Sequence, residues 1–481
     1  MAQVYKPKNS RAKHQVKKRA GANKGGLAHS ALQQDLRVTV ADHSGNGLCL
    51  ETQPLTVIKN ALAGEHVKVK ITQQSKRVNF ATAIKVLKPS EYRTEPFCEY
   101  YGRCGGCSMQ HTSPEHALSE KQTALQNYIE NRVQVATEKW VSPIRASISY
   151  SASANDIDSY GYRRRVKLAI DARNINAVKI GYREAASNKI VDVRHCAITV
   201  SEINQHIASI TDRIKTLDCV DKIGHIVITQ GYRSDASDTS VQSKNTQLQL
   251  AIFCVKTLSN ATYEQLSEFA SNTQLNIVIH QKNQAVVGIN KASTELCIYP
   301  NNHIVQAISA DQFLQVNESV NHDMVALALT WLASTKQQTL YDFFCGSGNF
   351  ALALSTKFDK VIAYEGVQSM VDSAIANAKR NHITNCVFAK LDLSDEHALA
   401  NINIEKNSAV VLDPSREGAL ALSKKLCHSK VQTIVYVSCN ANTFIRDFAE
   451  LQTHYTLEKI TALDMFPFTS HLEVMALLHR K

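Results

Sequence analysis

Between Thr339 and Cys439 five apolar runs alternate with helical patterns: TLYDFF (339–344), KVIAYEG (360–366), CVFAKLD (386–392), AVVLDP (409–414) and TIVYVSC (433–439). A closing strand, EVMALLHR, follows near the end of the chain. Runs this short and this apolar are buried on both faces, and separated by helix-length segments they form a parallel sheet covered by helices on both sides. The expected fold class is therefore α/β, with a Rossmann-like domain over 301–481. In such a sheet ligands lie outside the carboxyl ends of the strands, so the residues at the strand tips bear on function.

The first run leads into Asp342-Phe343-Phe344-Cys345-Gly346-Ser347-Gly348-Asn349-Phe350. Small residues at that turn let the backbone approach a ligand, and Glu365 at the tip of the second run can take ribose hydroxyls. Together they point to a nucleoside cofactor, with Asp392 placed to read an adenine amino group. Asp413-Pro414 and Cys439 end the fourth and fifth runs. Cys439 stands at a strand-to-helix turn in IVYVSCNANTFIRD, where helix amides and the positive helix end favour a thiolate. A thiol with a pKa near 8.5 is only ~3% ionised at pH 7, so a nucleophilic role needs such help.

The 481 residues suffice for about three domains. The net charge of +11 is concentrated in residues 1–34, whose eight Lys and Arg meet no acid before Asp35. That segment has no apolar period and is expected to be a disordered basic tail suited to polyanions. Residues 35–93 alternate short β-like runs with turn signals, as in HVKVKI and GNG, which predicts a small OB-like antiparallel barrel. Such barrels bind oligonucleotides or serve as structural modules. A helix is expected from Pro114 to Arg132, packing on the C-terminal domain, and polar loops near 149–159 and 234–245. Gly-Tyr-Arg recurs at 161–163, 181–183 and 231–233 without a fixed period, either as Tyr faces for bases with Arg for phosphates or as parts of ordinary β-hairpins. No stretch of about 18 apolar residues exists, and the basic start precedes no apolar signal core, so a cytoplasmic protein without a membrane span is expected.

Twelve cysteines in that compartment stay reduced and point to metal or chemistry. Cys98, Cys104 and Cys107 form a C-x5-C-x2-C run in a central α+β domain over 94–300, and Cys196 is the best distant fourth ligand. Zinc, with His111 or His195 completing the set, and an iron–sulfur cluster both fit this spacing. The C-x3-C-x2-C spacing of radical enzymes is absent.

In this order DFFCGSGNF, the Glu of AYEG, LDPSREGA, VYVSCN and MFPFTSHLEVM resemble the RNA uracil-C5 methyltransferases, which use S-adenosylmethionine. GYRRRVKL, GYREAASNKIVDVRHC, DQFLQVN and the cysteine run extend the resemblance to residues 36–481, and the barrel resembles that family's TRAM module. It is closest to the branch acting on 23S ribosomal RNA, which combines barrel and cluster. The resemblance implies that Cys439 adds to carbon 6 of a flipped uridine and that Glu473 is the general base. It implies further that Gln315, Phe344, Asn349, Glu365, Asp392 and Asp413 line the crevice, and that Cys98, Cys104, Cys107 and Cys196 hold a [4Fe–4S] cluster. A monomer is expected. Ala441 replaces a common Pro after SCN, and Ser415 a common Pro or Ala. The rival readings are a tRNA uracil-C5 methyltransferase, against which barrel and cysteines argue, and a non-catalytic RNA-binding assembly factor. The Pro-Cys and Glu-Asn-Val motifs of DNA cytosine methyltransferases are missing.

Overall fold

The computed structural model describes residues 33–133, 135–146, 160–233, 245–333 and 336–481. The basic tail to residue 32 and the polar segments 149–159 and 234–244 lie outside them. The chain divides into two compact units, Asn46–Ser90 with the residues up to Val40, and Ala41–Gly45 with Glu91–Lys481.

The first unit holds β1 (Gln33–Arg37), β2 (Val40–Ala41), β3 (Gly47–Cys49), β4 (Leu55–Lys59), β5 (His66–Gln73) and β6 (Val78–Lys88). Their order is β1-β5-β6-β4-β3-β2, and the two edge strands are joined by only Val38 and Thr39, so the sheet must curl toward closure. Val38, Ile58, Val67 and Val69 fill its interior. The pairing is not wholly antiparallel as expected: β4 and β6 run parallel.

In the second unit α1 (Pro114–Glu130) starts at Ser113, whose side chain accepts from the His116 amide, with Pro at the first turn. Its apolar face, Leu118, Leu125 and Ile129, joins the core beneath the C-terminal sheet. The central sheet is built from β7 (Arg165–Asp171), β8 (Lys179–Arg183), β9 (Ile190–Asp192), β10 (Ile223–Tyr232), β11 (Thr246–Cys254), β12 (Asn276–Gln281), β13 (Val287–Gly288), β14 (Glu295–Ile298) and β15 (Gln306–Ser309). Two helices lie between these strands in sequence, α2 (Ser201–Lys215) and α3 (Asn260–Thr273). Ile203, Ile207, Ile210 and Ile214 fall on one face of α2 and are buried with the sheet's Ile226, Ile228, Leu250 and Ile277.

The last part alternates α4 (Glu318–Ala333), β16 (Thr339–Phe343), α5 (Asn349–Leu354), β17 (Lys360–Glu365), α6 (Gln368–Arg380), β18 (Cys386–Lys390), α7 (Glu396–Ala400), β19 (Ala409–Leu412), α8 (Leu420–His428), β20 (Thr433–Ser438) and α9 (Ala441–Leu451). It ends in β21 (Tyr455–Leu463) and β22 (Glu473–Arg480). The sheet order is β18-β17-β16-β19-β20-β22-β21. The expected parallel strands are all present, but β21 is not recognisable in the sequence and β22 runs antiparallel between β20 and β21, so the sheet is mixed. YTLEKITAL carries Glu458 and Lys459 at a register shift, and that polar pair breaks the apolar run which marks the other strands.

Lys121 of α1 is buried; its ammonium donates to the carbonyls of Thr469 and His471, each at 3.1 Å, and faces Asp464 at 3.7 Å. Breaking a buried pair by removing one partner costs about 3–5 kcal/mol. We expect Lys121→Ala to lower unfolding stability in urea by about that amount, and the further change Asp464→Asn to recover part of it.

Candidate active site

Strand order reverses between β16 and β19, and the carboxyl ends of β16 to β20 open at one edge together with the start of the antiparallel β22. On the cofactor side, Phe344 follows β16 with φ of 67°, a left-handed backbone that costs a non-glycine residue of order 1–3 kcal/mol. Gly348 has φ of 99°, and a Cβ there would stand 2.9 Å from Leu352. The chain is thereby folded tightly into α5. Glu365 accepts from the Gly346 amide at 3.1 Å and the Val367 amide at 3.0 Å, fixing its carboxylate at the mouth of this turn.

Asn349 exchanges two hydrogen bonds with Asn321, at 3.0 and 3.1 Å. Asp392 is exposed and takes the amide and hydroxyl of Ser394 on one oxygen, bonds that hold its pKa below the usual carboxylate range. Gln315 lies in the loop before α4, where its carbonyl accepts from Arg164 at 3.1 Å. Arg164 is fully buried and also pairs with Glu318 at 2.9 Å.

Asp342 neighbours these residues and is not singled out by periodicity. It is fully buried in β16, accepts from the Ala351 amide at 2.7 Å, and is raised to about 8 by burial, with Asp413 and Glu365 adding to it. Asp413 is raised to about 7 by burial. Burial is the main cause at both carboxyls, because it disfavours the charged form. A charged residue inside an apolar strand is the signal available in the sequence.

At the next strand tips Cys439 follows β20, half-buried, and Glu473 opens β22. The last paired residues of these strands are Ser438 and Val474, so Cys439 and Glu473 sit one step beyond, opposite each other. Asn440 caps α9: its side-chain oxygen accepts from the Asn442 amide at 3.0 Å and its side-chain amide donates to the Arg416 carbonyl at 3.1 Å. Buried Asp447 on α9 accepts from the Ala419 amide and from Tyr436, both at 2.6 Å, and leaves no room for a side chain at Gly418. The Asp413–Ala419 loop is thus tied to the helix that Cys439 precedes. Arg416, unmarked in the sequence, reaches His471 at 3.3 Å.

The thiolate is not favoured as the helix end alone would have it. Burial raises the Cys439 thiol, the Glu473 and Asp413 carboxylates raise it further, and Arg416 opposes them. Glu473 is itself raised to about 8 by burial and Asp413, again opposed by Arg416. Below that value Glu473 carries a proton and cannot serve as a base. With both groups raised, we expect kcat/KM to climb as pH rises from 6 to 9; a profile flat above pH 6 would contradict this assignment.

Cys98, Cys104, Cys107 and Cys196 line one cavity of about 110 Å³ together with Tyr182, Arg163 and His195. All four thiols are raised, burial being the main cause and neighbouring cysteines adding to it for Cys98, Cys104 and Cys107, with Cys104 at about 11. The Gly106 amide donates to the Cys104 sulfur at 3.4 Å. His111 does not line the cavity; its Nδ1 meets the Tyr101 hydroxyl at 2.8 Å. The Gly-Tyr-Arg phrases do not form a stacking surface. Tyr162 and Tyr232 are buried and bond to Pro467 and Glu318, while Tyr182 lines the cysteine cavity.

The family described as tRNA (Uracil-5-)-methyltransferase matches residues 240–481. A relative from Alteromonas naphthalenivorans, named 23S rRNA (uracil(1939)-C(5))-methyltransferase RlmD, is 33% identical over all of both chains. The chain belongs to the RNA uracil-C5 methyltransferases. A Vibrio cholerae relative with the same name is 33% identical over 94% of this chain and 98% of its own. Among solved structures, the Pyrococcus abyssi tRNA (uracil-54, C5)-methyltransferase in complex with S-adenosyl-L-homocysteine superposes with a TM-score of 0.67 at 19% identity, covering 92% of this chain and 99% of that one. Because a tRNA-named structure spans nearly this whole length, architecture does not by itself separate rRNA from tRNA methyltransferases. As a uracil-C5 methyltransferase, the protein is an enzyme that uses S-adenosylmethionine. Among the described residues no helix is long and apolar enough to cross a membrane.

Proposed function

We propose that this uracil-C5 methyltransferase acts on a uridine of 23S rRNA, the nucleotide numbered 1939 in the names of its full-length relatives. The observation that carries the mechanism is the placement of Cys439 and Glu473 opposite each other, with the carboxyl of Asp413 acting on both. S-adenosylmethionine supplies an electrophilic methyl on a sulfonium. The Cys439 sulfur bonds to carbon 6 of the flipped base, and the electrons of the 5,6 double bond move toward O4, making carbon 5 a nucleophile. After carbon 5 takes the methyl, Glu473 removes its proton; the double bond re-forms and the C–S bond breaks, restoring the thiolate. Gln315, Phe344, Asn349, Glu365, Asp392 and Asp413 would line the site for cofactor and base.

The four cysteines fit a [4Fe–4S] cluster. Their donor set is all sulfur, and burial, the main cause of their raised pKa values, disfavours bare thiolates, so a cationic partner would be needed to hold them deprotonated. The four sulfurs line one cavity, and a cluster bound there would draw on all four of them. The N-terminal unit is read as a TRAM module gripping RNA in a cytoplasmic monomer. Each phosphate neutralised by the basic tail steepens the salt dependence of binding by roughly 0.7–0.9 log units per log of salt.

The test incubates the protein with methyl-labelled S-adenosylmethionine and either a 23S rRNA fragment or tRNA, then digests the RNA to nucleosides. Label in 5-methyluridine from the rRNA fragment is expected. Label from tRNA alone moves the protein to the tRNA branch, and none from either, with both ligands shown to bind, supports an assembly factor without catalysis.

A further inference from the structure

The segment before Glu473 is fastened to the cysteine site by several independent bonds. The carbonyl of Phe468 accepts from the amides of Ser108 and Met109, both at 2.9 Å, and these residues directly follow Cys107. The carbonyl of Pro467 accepts from Tyr162 at 3.1 Å. The Phe468 ring is 2% exposed and packs among Tyr162, Ile198, Phe97 and Tyr160, with Cys107 and Cys196 against the same cluster. Its backbone is left-handed, φ 62°, a conformation that a bulky residue keeps only where its surroundings impose it. Four residues separate Phe468 from Glu473, and two of the intervening carbonyls are held by Lys121.

We propose that Phe468 is a positioning residue coupling the four-cysteine site to Glu473, so that what the cysteines hold sets the rate at which the carbon-5 proton is removed. The inference rests on Glu473 being the base. If the four sulfurs lose their common partner, the Ser108 and Met109 amides lose their anchor and the Phe468 carbonyl moves with them. Glu473 then shifts while Cys439, borne on β20 and α9, stays in place. The reaction stalls after methyl transfer, with the C–S bond formed and the proton still on carbon 5. A displacement of about 1 Å costs up to roughly 10²-fold in such a step.

The experiment uses unmodified 23S rRNA fragment and S-adenosylmethionine in a single turnover, resolved on a denaturing gel. It compares wild type, Glu473→Gln, Phe468→Ala, Phe468→Leu and wild type depleted of iron by chelation. Iron content and visible absorbance report the state of the cysteine site, and cofactor and RNA affinities are measured in parallel. We expect a protein–RNA adduct to accumulate with Glu473→Gln, with Phe468→Ala and with the depleted protein. Product release by the last two slows roughly ten- to a hundred-fold, and affinities stay within about twofold. Phe468→Leu, which keeps an apolar filler in the cluster, regains part of the rate. The inference is overturned if Glu473→Gln accumulates adduct but Phe468→Ala and the depleted protein release product at the wild-type rate. It is equally overturned if they slow only in proportion to lost cofactor or RNA binding, without adduct. No adduct with Glu473→Gln removes the base assignment itself and this inference with it.

Discussion

Cys439→Ala abolishes methylation of the RNA while leaving cofactor binding unchanged: this is the expected result when the variant is assayed by methyl incorporation and by calorimetry with S-adenosylmethionine. Carbon 5 of uracil is too weak a nucleophile to attack a sulfonium methyl unless carbon 6 first takes an electron-rich group, and the residue has no substitute at this position. The loss is on the order of 10⁴-fold or more, as when a covalent catalyst loses its nucleophile. The fold should not suffer. Cys439 is half-buried at the end of β20, and the neighbouring Asn440 and Asp447 bonds that secure the turn do not involve its sulfur. Retained activity within tenfold of wild type would exclude the thiolate mechanism.

Glu473→Gln has the second largest expected effect and a different signature. Turnover falls by roughly 10²–10⁴, the usual contribution of a general base, but the methyl still reaches carbon 5 because the nucleophile and crevice are intact. Label from the cofactor should therefore remain with the protein on a denaturing gel instead of passing to free RNA. The carboxyl is buried and raised to about 8, so exchanging it for an uncharged amide of nearly the same shape removes the titrating group without burying a new charge. If methyl incorporation and product release fell together, Glu473 would be acting in methyl transfer or folding, not in proton removal.

Much of the catalytic half is legible in the sequence because parallel strands buried on both faces leave unbroken apolar runs, and the residue after each run is a strand tip. Glu365, Asp413 and Cys439 stand out in that way. What the sequence hides is tertiary. Asp342 lies inside a strand, where its role depends on the Ala351 amide and two carboxyls brought near it by other strands. Arg416 and His471 meet across 55 residues. The thiol's raised pKa follows from burial first and then from Glu473 and Asp413, whose approach no local pattern encodes. β21 stays hidden because its polar pair at Glu458 and Lys459 interrupts the apolar run. The tyrosines of the Gly-Tyr-Arg phrases read as exposed faces, yet Tyr162 and Tyr232 are buried props for the loops around the site. Composition cannot tell a buried Tyr with a bonded hydroxyl from one waiting for a base.

In the proposed reaction Cys439 bonds covalently to the target uracil. The most direct measurement incubates wild-type protein and S-adenosylmethionine with a 23S rRNA fragment bearing 5-fluorouridine, digests the trapped complex with nuclease and protease, and sequences the cross-linked peptide by mass spectrometry. Fluorine cannot leave as the proton does, so the adduct should persist, with the methylated fluorouridine nucleotide carried on Cys439. Attachment at another cysteine, or no attachment while RNA and cofactor are both bound, would contradict covalent catalysis by Cys439.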